Sequence, residues 1–179
     1  MAVVGVGNRL RGDDGIGPAV IEALGRRCRG PHVRLVCCEG DVTELIEAWS
    51  GATSVIVIDA VQSGAPPGSL HLLPLTGIGW THRRPGSSHG LGIQEAVGLA
   101  RQLGRVPGDL TLIGVEASQF ELGAPLSQPA KTGVDQVVAL LEYELAQAGP
   151  GVLRDAGHGA RRSPAVAAAN GVTARVPVS

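Results

Sequence analysis

The stretch GVGNRLRGDDGIGPAV, residues 5–20, links an apolar, strand-like run to a helix-like segment through a loop rich in glycine and aspartate. A loop of this kind can bind a phosphate or a metal ion. A dinucleotide-binding loop needs Gly-x-Gly-x-x-Gly, but Leu10 occupies the place of the third glycine, and the chain has no Gly-Lys-Ser/Thr of a P-loop. The adjacent Asp13 and Asp14 would repel a pyrophosphate, so the loop favours a cation.

Outside this loop, strand-like and helix-like apolar patterns alternate along the chain. Strands are predicted at Ala2–Gly5, Val33–Cys38, Ser54–Asp59, Ser69–Leu75 and Leu110–Val115, and helices at Pro18–Arg27, Asp41–Trp49, Gly92–Leu103 and from Pro129 or Thr132 onward. The connector VQSGAPPG is too short for a crossover helix, so the fourth strand is expected to run antiparallel to the third. The order βαβαββαβα predicts an α/β protein, a three-layer α/β/α sandwich around a mostly parallel sheet.

The periodic segments all lie in residues 1–148, which are predicted to form a single α/β domain. Within it, residues 77–88 lack periodicity and are expected to form a long loop. Residues 149–179 are rich in glycine, alanine and proline and carry no usable pattern. This composition predicts a flexible tail.

Composition and charge exclude several classes of partner. With 15 basic and 16 acidic residues the formal net charge is −1, and aromatic residues make up 2% of the chain, so we expect no nucleic-acid partner. No apolar run has the length that spans a bilayer and no leader peptide is expected, so we expect no membrane partner. Cys28, Cys37 and Cys38 lack the Cys-x-x-Cys spacing of a metal or redox site. We therefore interpret them as small apolar residues of a reduced, cytoplasmic protein.

Candidate functional residues lie at the predicted carboxyl edge of the sheet. Asp59 ends the apolar run SVIVID, and the loop that carries Asp13 and Asp14 emerges at the same edge. Asp13 is expected to cap the following helix, whereas Asp59 either binds a ligand or accepts hydrogen bonds from a turn. His89 precedes a predicted helix at the end of the long loop. Two carboxylates and one imidazole would form an open metal shell, as a catalytic or substrate-sensing site requires.

The other histidines of the domain and its basic loop carry weaker signals. His32, His71 and His82 are expected to face solvent or to pack locally. The loop GWTHRRPGSS, with Arg83 and Arg84, either docks a partner or is a solvated basic surface.

Three motifs, taken in order, resemble the hydrogenase maturation endopeptidases, which process the large subunit of nickel-iron hydrogenases. The motifs are GVGNRLRGDDGIG, VIVIDAVQSGAPPGSLH and SSHGLG, and LTLIGVEASQFELGAPLS is similar to the last strand of that family and the loop after it. The resemblance extends from Val3 to about Leu145. It implies a five-stranded twisted sheet with helices on both faces.

The resemblance also implies a reaction and a set of site residues. Asp14, Asp59 and His89 match the positions at which the family contacts metal, although many members have glutamate where this chain has Asp14. The implied reaction removes a C-terminal extension from the nickel-loaded large-subunit precursor, which is the protein partner. Nickel therefore belongs to the substrate, and no resident organic cofactor is expected. The implied oligomeric state is a monomer.

The sequence contains no Gly-x-Ser-x-Gly elbow and no His-Glu-x-x-His helix. Our hypothesis is that Asp14, Asp59 and His89 complete the coordination of the nickel in the precursor, with Asp59 favoured as general base. Two alternatives stay open. One is a nickel-sensing, chaperone-like module that binds the precursor without cleaving it. The other is a nucleotide-binding α/β domain, in which Glu39 at the end of the second strand contacts a ribose.

Overall fold

The computed structural model describes residues 1–27, 33–76 and 90–147. The predicted long loop at residues 77–88 and the predicted tail at residues 149–179 lie outside the described residues, as do Cys28, His32 and His89. The domain boundary after residue 148 therefore stays a prediction.

The predicted order of elements is confirmed. The strands and helices are β1 (Ala2–Val6), α1 (Ile16–Arg27), β2 (Arg34–Cys38), α2 (Val42–Trp49), β3 (Ser54–Val61), β4 (Leu70–Pro74), α3 (Gly90–Gln102), β5 (Asp109–Glu116) and α4 (Gln128–Gln147), and a 3-10 turn (Gly12–Gly15) precedes α1. The last helix begins earlier than predicted, because the Ser127 hydroxyl accepts a hydrogen bond from the Ala130 amide at 3.2 Å and caps it.

The five strands form one sheet in the order β2-β1-β3-β5-β4. Every neighbouring pair is parallel except β4 and β5. The prediction of one antiparallel strand is thus confirmed, but β4 pairs with β5 and not with β3, which precedes it in the chain. The reason is that β3 already has a neighbour on each side, β1 and β5, so β4 can add only at the outer edge of the sheet.

Helices cover both faces of the sheet, as expected for a three-layer α/β/α sandwich. On one face α1 and α4 pack on aliphatic side chains such as Val3, Ile56 and Ile113. On the other face α2 and α3 pack on side chains such as Val4 and Val57. Among the described residues, none of the helices combines the length and the apolar character needed to cross a membrane.

Two glycines let α1 lie directly on the central strands. A Cβ atom at Gly17 would collide with the carbonyl oxygen of Val6 and would lie 2.8 Å from that of Ile58. A Cβ atom at Gly5 would lie 2.6 Å from Cγ1 of Ile21 on the helix. The glycines of the opening stretch therefore serve close packing between backbone segments, a role that needs no bound phosphate.

Asp41 caps the start of α2. The Asp41 carboxylate accepts hydrogen bonds from the backbone amides of Thr43 at 2.8 Å and Glu44 at 3.3 Å. In a full capping box Glu44 would reach back to the Asp41 amide. Here its carboxylate accepts from the Glu39 amide at 3.3 Å, which ties the helix to the end of β2.

We expect Gly17→Ala to lower the free energy of unfolding by about 3 kcal/mol, since the added methyl group would push α1 off β1 and β3. Urea denaturation is the measurement. Gly98→Ala on α3 is the matched control, because a Cβ atom there meets nothing within 4 Å. The control should gain up to about 1 kcal/mol from helix propensity. Equal stabilities of the two variants would contradict the packing described for α1.

Candidate functional site

Asp14 is held in the 3-10 turn that follows β1. Its side chain is fully buried, and its Oδ2 accepts a hydrogen bond from the Asn8 amide at 3.0 Å. Asn8 in turn accepts a hydrogen bond from the Leu10 amide on its Oδ1 at 2.8 Å, which closes the loop on itself. Gly7 has a φ of +127°, and a Cβ atom there would collide with the carbonyl oxygen of Asp14. The Gly-Asn pair thus gives the loop the tight path that brings Asp14 to the sheet.

Asp59 lies near the carboxyl end of β3 and is also fully buried. Side chains alternate along a strand, so Asp59 shares its face with Val55 and Val57, which pack under α2 and α3. The turn that carries Asp14 packs against β3. The structure therefore brings Asp14 and Asp59 to the same edge of the sheet, which is the edge where open α/β sheets bind ligands.

The third predicted site residue, His89, lies outside the described residues, and so do Arg83 and Arg84. Helix α3 begins at Gly90, the next residue in the chain. A Cβ atom at Gly92 would collide with the carbonyl oxygen of Gly40, in the loop that follows β2. The start of α3 is therefore packed closely against the carboxyl edge, and the role of His89 stays a prediction.

Asp13 does not cap the following helix, which corrects the prediction. Its Oδ2 accepts hydrogen bonds from the Ser118 amide at 2.9 Å, the Ser118 hydroxyl at 3.1 Å and the Ser127 hydroxyl at 2.9 Å, and its Oδ1 accepts from the Ser127 amide at 2.7 Å. Adjacent side chains on a 3-10 turn point about 120° apart, so Asp13 and Asp14 reach different partners. Asp13 joins the loop after β1 to the loop after β5.

The hydrogen bonds to Asp13 determine its charge state. Burial by itself raises the pKa of this carboxyl group, but the hydrogen bonds from Ser118 and Ser127 together outweigh burial and hold the pKa below its ordinary value. Asp13 is therefore an ionised carboxylate whose two oxygens both accept hydrogen bonds from the loop after β5.

Cys38 lies at the end of β2, and burial raises its pKa to about 11, with further contributions from Glu44, Cys37 and Asp59. A thiol with this pKa is protonated at neutral pH and is a poor nucleophile. Both Cys37 and Cys38 are free cysteines. The structure thus argues against a catalytic role for Cys38.

A polar cluster around the buried Glu116, which the sequence did not indicate, lies at the ends of β3 and β5. Glu116 accepts hydrogen bonds from the Ser63 amide at 2.7 Å, the Gly64 amide at 2.9 Å and the Ser63 hydroxyl at 2.8 Å, and its Oε2 lies 3.0 Å from Nε2 of His71. In a catalytic triad the imidazole stands between the hydroxyl and the carboxylate. Here the hydroxyl bonds the carboxylate directly, so the cluster anchors the turn between β3 and β4. The polar residue that ends the apolar run LTLIGV was the available signal.

The described residues do not by themselves complete a metal site. Among residues 1–27, 33–76 and 90–147, no group of three or more histidine, cysteine, aspartate or glutamate side chains could hold a metal ion. Asp14 and Asp59 offer two carboxylates at one edge, and a metal held there needs further ligands from elsewhere.

The chain is similar to proteins of hydrogenase maturation. Residues 18–144 match the family model described as HycI: Hydrogenase maturation protease. The hydrogenase expression/formation protein HupM of Azotobacter chroococcum mcd 1 is 31% identical over 150 residues, which cover 82% of this chain and 72% of the relative. The hydrogenase 2 maturation protease of Escherichia coli K12 is 29% identical over 154 residues, 83% of this chain and 94% of the relative. The solved structure of the E. coli hydrogenase maturating endopeptidase HybD matches with a TM-score of 0.70 and 26% identity, over 83% of this chain and 93% of that one.

We expect Asp13→Asn to lower the free energy of unfolding by about 2 to 3 kcal/mol at pH 7, because the amide places donors where Ser118 and Ser127 also donate. The pKa of Asp13 is lower in the folded chain, so its contribution is complete above the unfolded-state value of about 3.9 and is lost as the pH falls through the folded-state value. The difference between wild type and variant should therefore shrink below pH 4 in urea titrations.

The control for this measurement is Asp135→Asn, at an exposed position of α4. It should leave stability within about 0.5 kcal/mol of wild type. A difference between wild type and Asp13→Asn that stays constant from pH 7 to pH 3 would contradict the assigned charge state.

Proposed function

We propose that this chain, which belongs to the hydrogenase maturation protease family, hydrolyses one peptide bond in the large-subunit precursor of a nickel-iron hydrogenase and releases its C-terminal extension. The single observation that carries this assignment beyond family membership is the burial of Asp14 and Asp59 at the carboxyl edge of the sheet. Both residues stand in motifs that resemble the metal-contacting segments of the family.

In this proposal the precursor brings the nickel ion with it. Asp14, Asp59 and His89 then supply the remaining ligands of that ion. Carboxylate oxygen and imidazole nitrogen are suitable donors for a divalent first-row metal. If the ligands of the nickel ion come partly from the enzyme and partly from the precursor, the enzyme binds only a precursor that already contains its metal. No resident organic cofactor takes part.

The hydrolytic step needs an acceptor for the proton of the attacking water. We assign the role of general base to Asp59, which is buried near the carboxyl end of β3, at the same edge of the sheet as Asp14. Nickel bound in this way holds the scissile peptide in place. Asp59 would then act on a water molecule close to the carbonyl carbon of that peptide bond.

The proposed function also implies a partner, an oligomeric state and a cellular location. The precursor is the protein partner, and the chain acts on it as a monomer, as the family resemblance implies. The free thiols of Cys37 and Cys38 support a location in the reducing cytoplasm.

No specific observation favours either of the two alternatives, a nucleotide-binding domain or a precursor-binding module without cleavage. A nucleotide-binding domain would need the glycines of the opening loop for phosphate contact, whereas Gly5 and Gly17 pack α1 against the sheet. A precursor-binding module without cleavage would use the same edge, but the E. coli relative is named a maturation protease.

Cleavage of a cognate precursor, followed by mass spectrometry, tests this function. Wild type should release one C-terminal peptide from nickel-loaded precursor and none from nickel-free precursor. Asp14→Asn, Asp59→Asn and His89→Ala should each lower the rate roughly 100-fold or more, as expected for loss of a metal ligand or a general base. Asp135→Asn is the control and should cleave like wild type. Full cleavage by all three site variants would refute the assigned residues.

The close contact between Gly92 and Gly40 gives a separate prediction for the start of α3. Gly92→Ala should displace the first turn of the helix and lower the cleavage rate roughly tenfold or more, because misplacement of a ligand by about 1 Å is costly in catalysis. Gly98→Ala, on the same helix with open space around it, is the control and should keep the wild-type rate. A wild-type rate for Gly92→Ala would show that the start of α3 does not position the site.

A further inference from the structure

Two leucines are the most exposed large apolar side chains in the described part of the chain. Leu10 is 66% exposed and Leu122 is 80% exposed. Leu10 belongs to the loop after β1 and Leu122 to the loop after β5, so both lie at the carboxyl edge of the sheet. We call these two residues the leucine pair.

Backbone hydrogen bonds join the two loops at the leucine pair. The amide of Gly123, next to Leu122, donates to the carbonyl oxygen of Leu10 at 2.6 Å. A second bond runs from the Gly12 amide to the Ala124 carbonyl oxygen at 3.1 Å. These bonds hold the backbone of the two loops side by side, so Leu10 and Leu122 project from adjoining segments.

Two further hydrogen bonds support this arrangement, one within the loop after β5 and one between the two loops. Gln119 donates from its side-chain amide to the carbonyl oxygen of Pro125 at 2.7 Å, and the Asp13 amide donates to the carbonyl oxygen of Gln119 at 2.9 Å. Single exposed leucines are ordinary on a protein surface, whereas apolar side chains that lie together and are rimmed by polar residues mark interaction sites.

Two hydrogen bonds connect Leu10, one member of the leucine pair, with Asp14 through Asn8. The Leu10 amide donates to Oδ1 of Asn8, and the Asn8 amide donates to Oδ2 of Asp14. Leu10 therefore lies in the same short loop as the partner of Asp14, at the edge where the precursor is proposed to bind. Arg9, Arg11 and Glu121 flank the pair in sequence and supply the mixed polar rim of an interface.

We propose that Leu10 and Leu122 dock an apolar segment of the large-subunit precursor next to its scissile bond, an inference that rests on the proposed function. A second copy of this chain is the poorer occupant, because two leucine side chains supply only a small part of the roughly 1,600 Å² that a stable interface buries. A small apolar anchor suits a substrate that binds, is cleaved and leaves. The remaining binding energy comes from the nickel contacts.

Steady-state cleavage of nickel-loaded precursor by full-length variants is the test. Leu10→Ser and Leu122→Ser should each raise KM about tenfold, as expected when one leucine contact with the substrate is lost. Leu10→Met and Leu122→Met keep an apolar side chain and should restore KM to within about twofold of wild type. The matched control is Leu103→Ser, since Leu103 is 54% exposed but follows the far end of α3, at the opposite edge of the sheet.

Direct binding separates failure of the docking surface from failure of the proposed function. Nickel-loaded precursor is titrated against Asp59→Asn alone and against Asp59→Asn combined with Leu10→Ser or Leu122→Ser, so no cleavage is needed. A Kd raised about tenfold by the serine substitutions supports docking even if wild type cleaves nothing. An unchanged Kd and KM overturn docking, and a changed oligomeric state in light scattering with unchanged Kd assigns the pair to self-association instead. Absence of any binding by wild type overturns both proposals.

Discussion

The geometry of the carboxyl edge depends on the buried carboxylate of Asp13. It accepts hydrogen bonds from Ser118 and Ser127, which lie more than 100 residues further along the chain. A buried carboxylate is stable only when its oxygens are bonded, so the loops after β1 and β5 cannot move independently. The turn that carries Asp14 and the loop that carries Leu122 therefore behave as one rigid unit.

The two adjacent aspartates reach different partners although they are neighbours in sequence. The 3-10 turn directs Asp13 toward the serines and leaves Asp14 beside β3, near the edge that also contains Asp59. Asp13 therefore joins two loops, while Asp14 accepts a hydrogen bond from the Asn8 amide within its own loop and is the residue proposed to meet the metal.

The architecture was predictable from sequence because apolar periodicity reports burial directly, as in the run SVIVID that ends at Asp59. The partners of Asp13 were not, because local capping is the only contact that neighbouring residues suggest, and Ser127 is distant in sequence. The direction of β4 followed from its short connector, while its pairing with β5 depends on the whole sheet. The Glu116 cluster stayed hidden for the same reason, and His89 stays a prediction.

The strand order has a consequence for how the chain is made. β1 pairs with β3, which begins at Ser54, and β3 pairs with β5, which begins at Asp109. The first strand therefore leaves the ribosome long before its neighbours, and each pairing must close a long stretch of chain at an entropic cost. The frame around Asp13 can close only after Ser127 has been synthesised. An unfinished chain thus cannot join the loops after β1 and β5, so the carboxyl edge takes its final form only after the chain has been made beyond Ser127.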